Sequence, residues 1–286
     1  MGPWCDTSGR LSWFRLAIFL ALFGPGVWIA AQYVMGALGP RPANAAVHQT
    51  GLWMIRLLFV SLAVTPLREA LGFTRLLDVR RMIGVAAFAY GFAHLVLYAA
   101  QEKWALLFVV NEIIKRIYLT IGFVALVGLA VLAATSTDGW VRRLGARWRK
   151  LHRLIYLIAA LALVHFFMQS KANVTEPILM MGLFLWLMAA REWSRRLGRK
   201  RPSGRALAVI GAGAAVATAL GEAGYYAVKI GVSPLMILGA NFADMGFRPA
   251  WGVGIGVAVV VAWVVLAVGW RRFSALRRAP AAGAGG

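Results

Sequence analysis

The stretch "RWRKLHRLIYLIAALALVHFF", Arg147 to Phe167, decides how the rest of the chain is read. A basic head gives way to an apolar run, and His152 and His165, two of the chain's four histidines, bracket that run. Such a segment reads as a membrane-spanning helix entered from its basic side, since roughly 20 apolar residues at ~1.5 Å rise cross a hydrocarbon core of ~30 Å. A polar ring inside such a span is costly to keep there and marks a functional site before it marks anything else.

The pattern recurs along the 286 residues, which are 61% hydrophobic and 14% charged. That composition predicts an all-α, polytopic transmembrane helical bundle. Eight stretches are candidate spans, about 16–38, 50–67, 82–100, 117–135, 151–169, 174–190, 206–228 and 250–270. The sixth is short, and the second carries Arg56 within it. The apolar "WALLFVV" at 104–110 is too short to cross and is expected to lie at an interface.

A net charge of +21 would suggest nucleic acid in a soluble protein, but here the basic residues sit between the spans. With the N-terminus inside, the cytoplasmic segments collect 23 Lys and Arg and the periplasmic loops 7. Positive-inside sorting therefore accounts for the charge without a nucleic-acid partner and returns the C-terminus to the cytoplasm. "PANAA" at 42–46 resembles a signal-peptidase site, but the preceding apolar region is longer than the ~7–15 residues of a signal core, so an uncleaved anchor is expected. Cys5 is the single cysteine, which excludes an intrachain disulfide, a Cys-x-x-Cys-His haem attachment and a cysteine framework for an iron–sulfur cluster.

Charge, Pro and Gly in "RRLGRKRPSG" break the pattern, so residues 196–205 read as a basic cytoplasmic linker. Residues 206–272 read as an appended two-helix membrane unit, rich in Gly, Ala and Val that allow close helix approach. Residues 273–286 read as a tail. "GAGAAV" at 211–216 imitates a dinucleotide fingerprint but lacks its third glycine and a preceding strand. Glu222, beside Tyr225 and Tyr226, is either a proton or quinone group or a buried hydrogen-bonded carboxyl.

The histidines can be compared by depth. His94 lies thirteen residues beyond Arg81, and His165 thirteen beyond His152. At ~1.5 Å per residue each imidazole is ~20 Å from the cytoplasmic boundary, so the two sit at one level nearer the periplasm. That arrangement suits bis-histidine ligation of a haem held edge-on between helices; a structural His–His pair is the alternative. Thirteen residues is ~220° beyond whole turns, so His152 and His165 do not share a face. His152 would belong to a second site near the cytoplasmic surface or be an interfacial residue, and its place on the partner helix is taken by Arg80 or Arg81. His48 is expected in a periplasmic loop.

Four blocks carry a resemblance. "HQTGLWMIRLLFVSLAVTPLREALG", "LLDVRRMIGVAAFAYGFAHLVLYA", "RIYLTIGFVALVGLAVLAATS" and "LGARWRKLHRLIYLIAALALVHF" resemble, in order and spacing, the MsrQ (YedZ) family within the ferric-reductase-like transmembrane superfamily. The resemblance covers about residues 10–195, which makes that segment a six-span ferric-reductase-like haem-binding domain. It implies haem b and FMN as cofactors, and it places the family's haem-linked histidines on His94, His152 and His165. It also implies electron delivery from the quinone pool or a cytosolic flavin reductase. The recipient would be a periplasmic molybdopterin-containing methionine sulfoxide reductase subunit that repairs oxidised proteins, with this chain in the bacterial inner membrane. Two departures stand out: "RIYLT" replaces a frequent R-P-Y-L-T, and the two C-terminal spans have no counterpart in short family members. No flavin fingerprint is present, although Arg80, Arg81, Arg149 or Lys150 could hold a phosphate. A transmembrane ferric-chelate or oxygen reductase is the competing reading. A transporter is a third, disfavoured because no pair of broken helices marks a midplane substrate site.

Overall fold

Backbone in lipid must satisfy its own hydrogen bonds, and every regular element among the described residues is a helix. The computed structural model describes residues 2, 4–5, 8–71, 75–170, 173–197, 203–243 and 246–278. The tail from 279 onward and most of the linker, 198–202, lie outside them. The helices are α1 (Trp13–Ala21), α2 (Gly24–Val34), α3 (Pro42–Leu71), α4 (Leu76–Gln101), α5 (Leu106–Lys115), α6 (Ile117–Ala134) and α7 (Asp138–Leu144). There follow α8 (Ala146–Leu151), a 3-10 turn at His152–Leu154, α9 (Ile155–Gln169), α10 (Thr175–Arg196), α11 (Gly204–Ile230), α12 (Pro234–Gly239) and α13 (Pro249–Arg278).

Among the described residues, seven segments are long and apolar enough to cross a bilayer: Trp13–Val34, Pro42–Ala70, Leu76–Gln101, Ile117–Ala134, Ala146–Gln169, Gly204–Ile230 and Pro249–Ala267. The stretch expected as a sixth span, 174–190, forms α10 but is not among them. Its apolar run is closed in by Glu176 at one end and Arg191 at the other, so the helix is long but its hydrocarbon-compatible part is short. The "WALLFVV" segment becomes the short α5, whose Leu106, Leu107, Phe108, Val110 and Ile114 are exposed. His48 is not in a loop: it lies in the second turn of α3, because helix begins at Pro42, whose fixed φ suits a helix start.

Residue contacts divide the chain into two units, Met1–Val64 with Thr74–Ala172, and Thr65–Phe73 with Asn173–Gly286. The division falls inside α3 beside Pro66, which has no N–H to bond one turn back. In the first unit α6 packs along α9, burying Ala125, Leu129 and Leu132 with Ile158, Ala159, Ala162 and Leu163. α4 packs on α6, and Arg81 at its basic end pairs with Asp138 of α7. The Arg81 guanidinium, by hydrogen bond and charge, holds the Asp138 carboxyl below the usual carboxylate range.

The first span is broken between α1 and α2, and α4 repairs the break. The Tyr90 hydroxyl accepts from Gly26 N at 2.7 Å and donates to the Leu22 carbonyl at 2.9 Å. Both backbone groups would otherwise lack partners in an apolar layer. Tyr90→Phe is therefore expected to cost about 1–3 kcal/mol and lower the melting temperature in detergent, with α1 and α2 becoming more protease-sensitive.

In the second unit α11 and α13 pack together and against α10. A Cβ built at Gly211 would meet Val257 Cγ1 at 2.3 Å, so the approach of α11 to α13 depends on a side chain of no size. Ser203 caps α11 by accepting from Ala206 N at 3.1 Å, and Gly231 ends it in the left-handed region at φ 73°.

Candidate functional site

Four helices of the first unit converge on a pair of histidines. α3 and α6 run one way, α4 and α9 return, and His94 of α4 and His165 of α9 face each other with ring centroids 6.4 Å apart and planes at 82°. The equal depth read from the two thirteen-residue spacings thus corresponds to rings brought together. His94 Nδ1 lies 2.7 Å from the carbonyl oxygen of Val47, and His165 Nδ1 lies 2.7 Å from that of Tyr118. A carbonyl oxygen only accepts, so each Nδ1 carries a proton and each Nε2 keeps its lone pair. Two imidazoles with fixed tautomers are thereby available as ligands, each with the outer hydrogen bond that metal-bound histidines use.

The two half-sites repeat each other. Each histidine is 47 residues beyond the carbonyl that orients it. One turn after each carbonyl stands a glycine, Gly51 on α3 and Gly122 on α6. A Cβ built at Gly51 would meet His94 Nδ1 at 2.9 Å, and one at Gly122 would meet His165 Nδ1 at 2.6 Å. These glycines are seats for the imidazoles. They were not singled out from the sequence, although V-x-x-x-G and Y-x-x-x-G at equal distances before two histidines were there to be found.

The pair opens on a cavity of about 410 Å³ within the same unit. On the side of Met54, Ile55, Gly91, Ala125, Leu126 and Ala162 its lining is apolar, whereas at the opposite ends of the same helices it includes Asn44, His48, Tyr98, Gln101 and Gln169. Glu102, Glu112, Arg116 and Tyr118 complete that polar end. Such a chamber, apolar at depth and polar at its mouth, suits a planar amphiphile. The fit to an iron porphyrin can be tested on the ring spacing. A metal held by two imidazole nitrogens at about 2.0 Å each separates the ring centres by about 6 Å. Among the described residues, no group of three or more His, Cys, Asp and Glu could hold a bare metal ion. Two ligands without a third suit a metal that brings its own equatorial nitrogens. The residues present fit a haem.

His152 is elsewhere. It opens the 3-10 turn between α8 and α9 and does not line the cavity. Its ring stacks on Trp148 at 3.9 Å and 24°, and its Nδ1 lies 3.2 Å from the Trp148 carbonyl. Nε2 is 3.3 Å from Ser136 Oγ, whose own proton has a closer acceptor in the Leu132 carbonyl at 2.6 Å. The Leu132 carbonyl is also a hydrogen-bond partner of the His152 ring. Of the basic residues near it, Arg81 is paired with Asp138.

Glu222 in the second unit accepts from Arg248 Nη1 at 3.1 Å and is 1% exposed. Its Oε2 and Arg248 Nε have no hydrogen-bond partner. Of the two readings above, this geometry is that of the buried, hydrogen-bonded carboxyl.

Comparison with known proteins bears on the same segment. Residues 50–163 match the family model described as ferric reductase like transmembrane component. The chain is 42% identical over 189 residues to the protein-methionine-sulfoxide reductase heme-binding subunit MsrQ of Xanthomonas campestris pv. campestris, covering 65% of this chain and 85% of that protein. It is 41% identical over 196 residues to the protein of the same name from Rhodospirillum rubrum, covering 67% of this chain and 92% of that one. The protein of that name from Xanthomonas axonopodis pv. citri is 41% identical over 189 residues, covering 65% and 86%. No solved structure matches the chain.

Proposed function

Since the chain belongs to the family of protein-methionine-sulfoxide reductase heme-binding subunits, MsrQ, we propose that it carries haem b between His94 and His165 and passes electrons outward to a periplasmic methionine sulfoxide reductase subunit. The observation that carries this reading is the facing pair of imidazoles whose Nδ1 protons are both held by helix carbonyls. Bound there, a haem supplies a one-electron ferric–ferrous couple without covalent attachment.

The chain's own residues do the rest. The Val47 and Tyr118 carbonyls fix the tautomers, orient the rings and raise the basicity of the ligating nitrogens. Gly51 and Gly122 let α3 and α6 close on the rings. The apolar floor around Met54, Leu126 and Ala162 keeps water from the buried edge.

His152 is the candidate for a second site on the inner side. The thirteen residues from it to His165 correspond to ~20 Å, too far for a cytoplasmic donor to reach the outer site without an intermediate. The imidazole and the Trp148 ring stacked on it form an aromatic pair at the level where a planar cofactor would be needed. FMN, proposed from the family resemblance, would have its phosphate held by Arg80, Arg81, Arg149 or Lys150. The donor is proposed to be the quinone pool or a cytosolic flavin reductase, and the recipient a molybdopterin-containing subunit. Redox-difference spectroscopy with quantified haem and flavin tests the cofactors. Repair of methionine sulfoxide by this chain without a partner subunit would overturn the carrier assignment.

The orientation proposed is bacterial inner membrane with both termini cytoplasmic, which requires α10 to cross. All its 22 residues span about 33 Å, enough if Arg191, Glu192, Arg195 and Arg196 reach back to the headgroups. Reporter fusions after Arg10, at 142–150, after Arg196 and after Arg278 are expected to report cytoplasm. Fusions after Pro42, at Lys103, at Asn173 and at Phe242 are expected to report periplasm. A cytoplasmic signal at Phe242 would make α11 and α13 a unit that does not cross twice.

A further inference from the structure

The geometry points to Arg116 as the counter-ion of a carboxylate on the ligand in this cavity, so that the acidic edge of a haem faces the mouth beside α5. The inference rests on the haem reading of the His94–His165 pair and adds to it which way the ligand lies and what holds its charged edge.

The lining sorts by position along each helix. On α4 the cavity is lined by Gly91 and then, beyond His94, by Tyr98, Gln101 and Glu102. On α9 it is lined by Ala162 and, beyond His165, by Gln169. On α3 and α6 the order reverses, Asn44 and His48 preceding Gly51 and Arg116 preceding Gly122. All polar groups therefore gather at one end. A carboxylate placed at the other end would meet Met54, Leu126 and Ala162 with nothing to solvate it, which is far costlier than any rearrangement at the mouth.

At the mouth, charge decides which residue matters. Two of the lining groups, Glu102 and Glu112, are carboxylates and repel an acidic ligand. Arg116 is the guanidinium in the lining. It pairs with Glu112 through Nε at 2.5 Å and donates from Nη1 to the Tyr118 hydroxyl at 3.3 Å. Its side chain is 53% exposed, so it has room to turn. Arginine presents five donors in a planar fork, so it can serve a second carboxylate while keeping a bond to Glu112. Tyr118 also holds His165 through its carbonyl, so the residue that orients the ligating ring neighbours the one that would hold the ligand's edge. A further polar group awaits a partner there: Gln101 Oε1 is buried and has none, although its amide donates to Glu102 at 3.5 Å.

The test compares two probes on the full-length protein, depleted of haem and titrated in detergent. One is ferric protoporphyrin IX, with two free carboxylates; the other is its dimethyl ester, with the same ring and iron and no acidic edge. Wild type is expected to prefer the diacid. Arg116→Gln is expected to weaken diacid binding at least tenfold while changing ester binding less than twofold, and Arg116→Lys to retain part of the preference. Glu112→Gln, which removes the competing carboxylate, is expected to strengthen the preference. The readout is the acid-to-ester affinity ratio, which a general loss of folding does not move. An unchanged ratio in Arg116→Gln with a normal low-spin spectrum would overturn the assignment of Arg116. If that variant cannot be purified, an unchanged or smaller ratio in Glu112→Gln would overturn it instead. Failure of the underlying reading looks different: wild type binds neither porphyrin, or binds both with His94→Ala no weaker.

Discussion

His94→Ala and His165→Ala are each expected to strip the purified protein of most of its haem, whereas His152→Ala leaves this site largely filled. With the proposed ligation, removing one ring would leave the iron a single protein ligand. It also enlarges the cavity beside the other imidazole, since both rings line it with their centroids 6.4 Å apart. The carbonyl that oriented the lost ring, Val47 O or Tyr118 O, keeps its place in its helix but gives up the additional donor that now sits at 2.7 Å. Even loss of an outer-shell partner costs about 10–100-fold in affinity at metal sites, so loss of the ligand itself is expected to exceed that. The measurement is haem per protein by pyridine haemochrome after purification, with the low-spin spectrum as a second readout. Full occupancy with a low-spin spectrum in either variant would refute the pairing. The matched expectation for His152→Ala is a slower reduction of the remaining haem by a quinol or reduced-flavin donor, followed by stopped flow and normalised to haem. An unchanged rate would leave His152 a purely interfacial residue.

How much of this was legible in the chain depends on what fixes each feature. Depth is linear in residue number along a helix, so counting from Arg81 and from His152 was enough to put His94 and His165 at one level. Span positions follow from hydropathy, and seven of the eight expected stretches coincide with helices long and apolar enough to cross. The eighth, α10, depends on whether terminal charges reach the headgroups, which is a property of its flanks rather than of its apolar run. His48 lies in helix and not in the expected loop because α3 begins at Pro42, and a proline at a first helical position favours the start of a helix. Azimuth is harder to read than depth. Which backbone carbonyl meets an imidazole depends on how two helices rotate against each other, so Val47 and Tyr118 became visible only in three dimensions. Trp148 against His152 is intermediate: it is four residues away on one helix face, a contact the i, i+4 rule predicts.

The glycine seats set the second large expectation, that Gly122→Ala disables the site without touching a ligand. The new Cβ would stand 2.6 Å from His165 Nδ1 and 2.8 Å from Cε1, closer than such contacts can be. The ring cannot slide away along its own plane without breaking the 2.7 Å bond to the Tyr118 carbonyl one turn below. Either His165 turns off that carbonyl, losing its fixed tautomer, or α6 and α9 part along the seam where Ala125 and Ala162 are now buried. Overpacking of this kind costs about 1–3 kcal/mol of stability, and a misdirected lone pair costs ligation on top of it. Haem affinity is expected to fall at least tenfold, and whatever haem remains should show high-spin, five-coordinate character, because His94 is still in place. Gly51→Ala should act in the same direction but less, its Cβ meeting His94 at 2.9 Å and 3.1 Å. Gly213→Ala is the control: it too replaces a helical glycine in a membrane span, and nothing lies within 4 Å of its added carbon. That variant is expected to keep full haem and to gain a few tenths to 1 kcal/mol from reduced freedom of the unfolded chain. A low-spin spectrum and wild-type haem content in Gly122→Ala would mean that α6 yields easily at this point and that the glycine seats nothing.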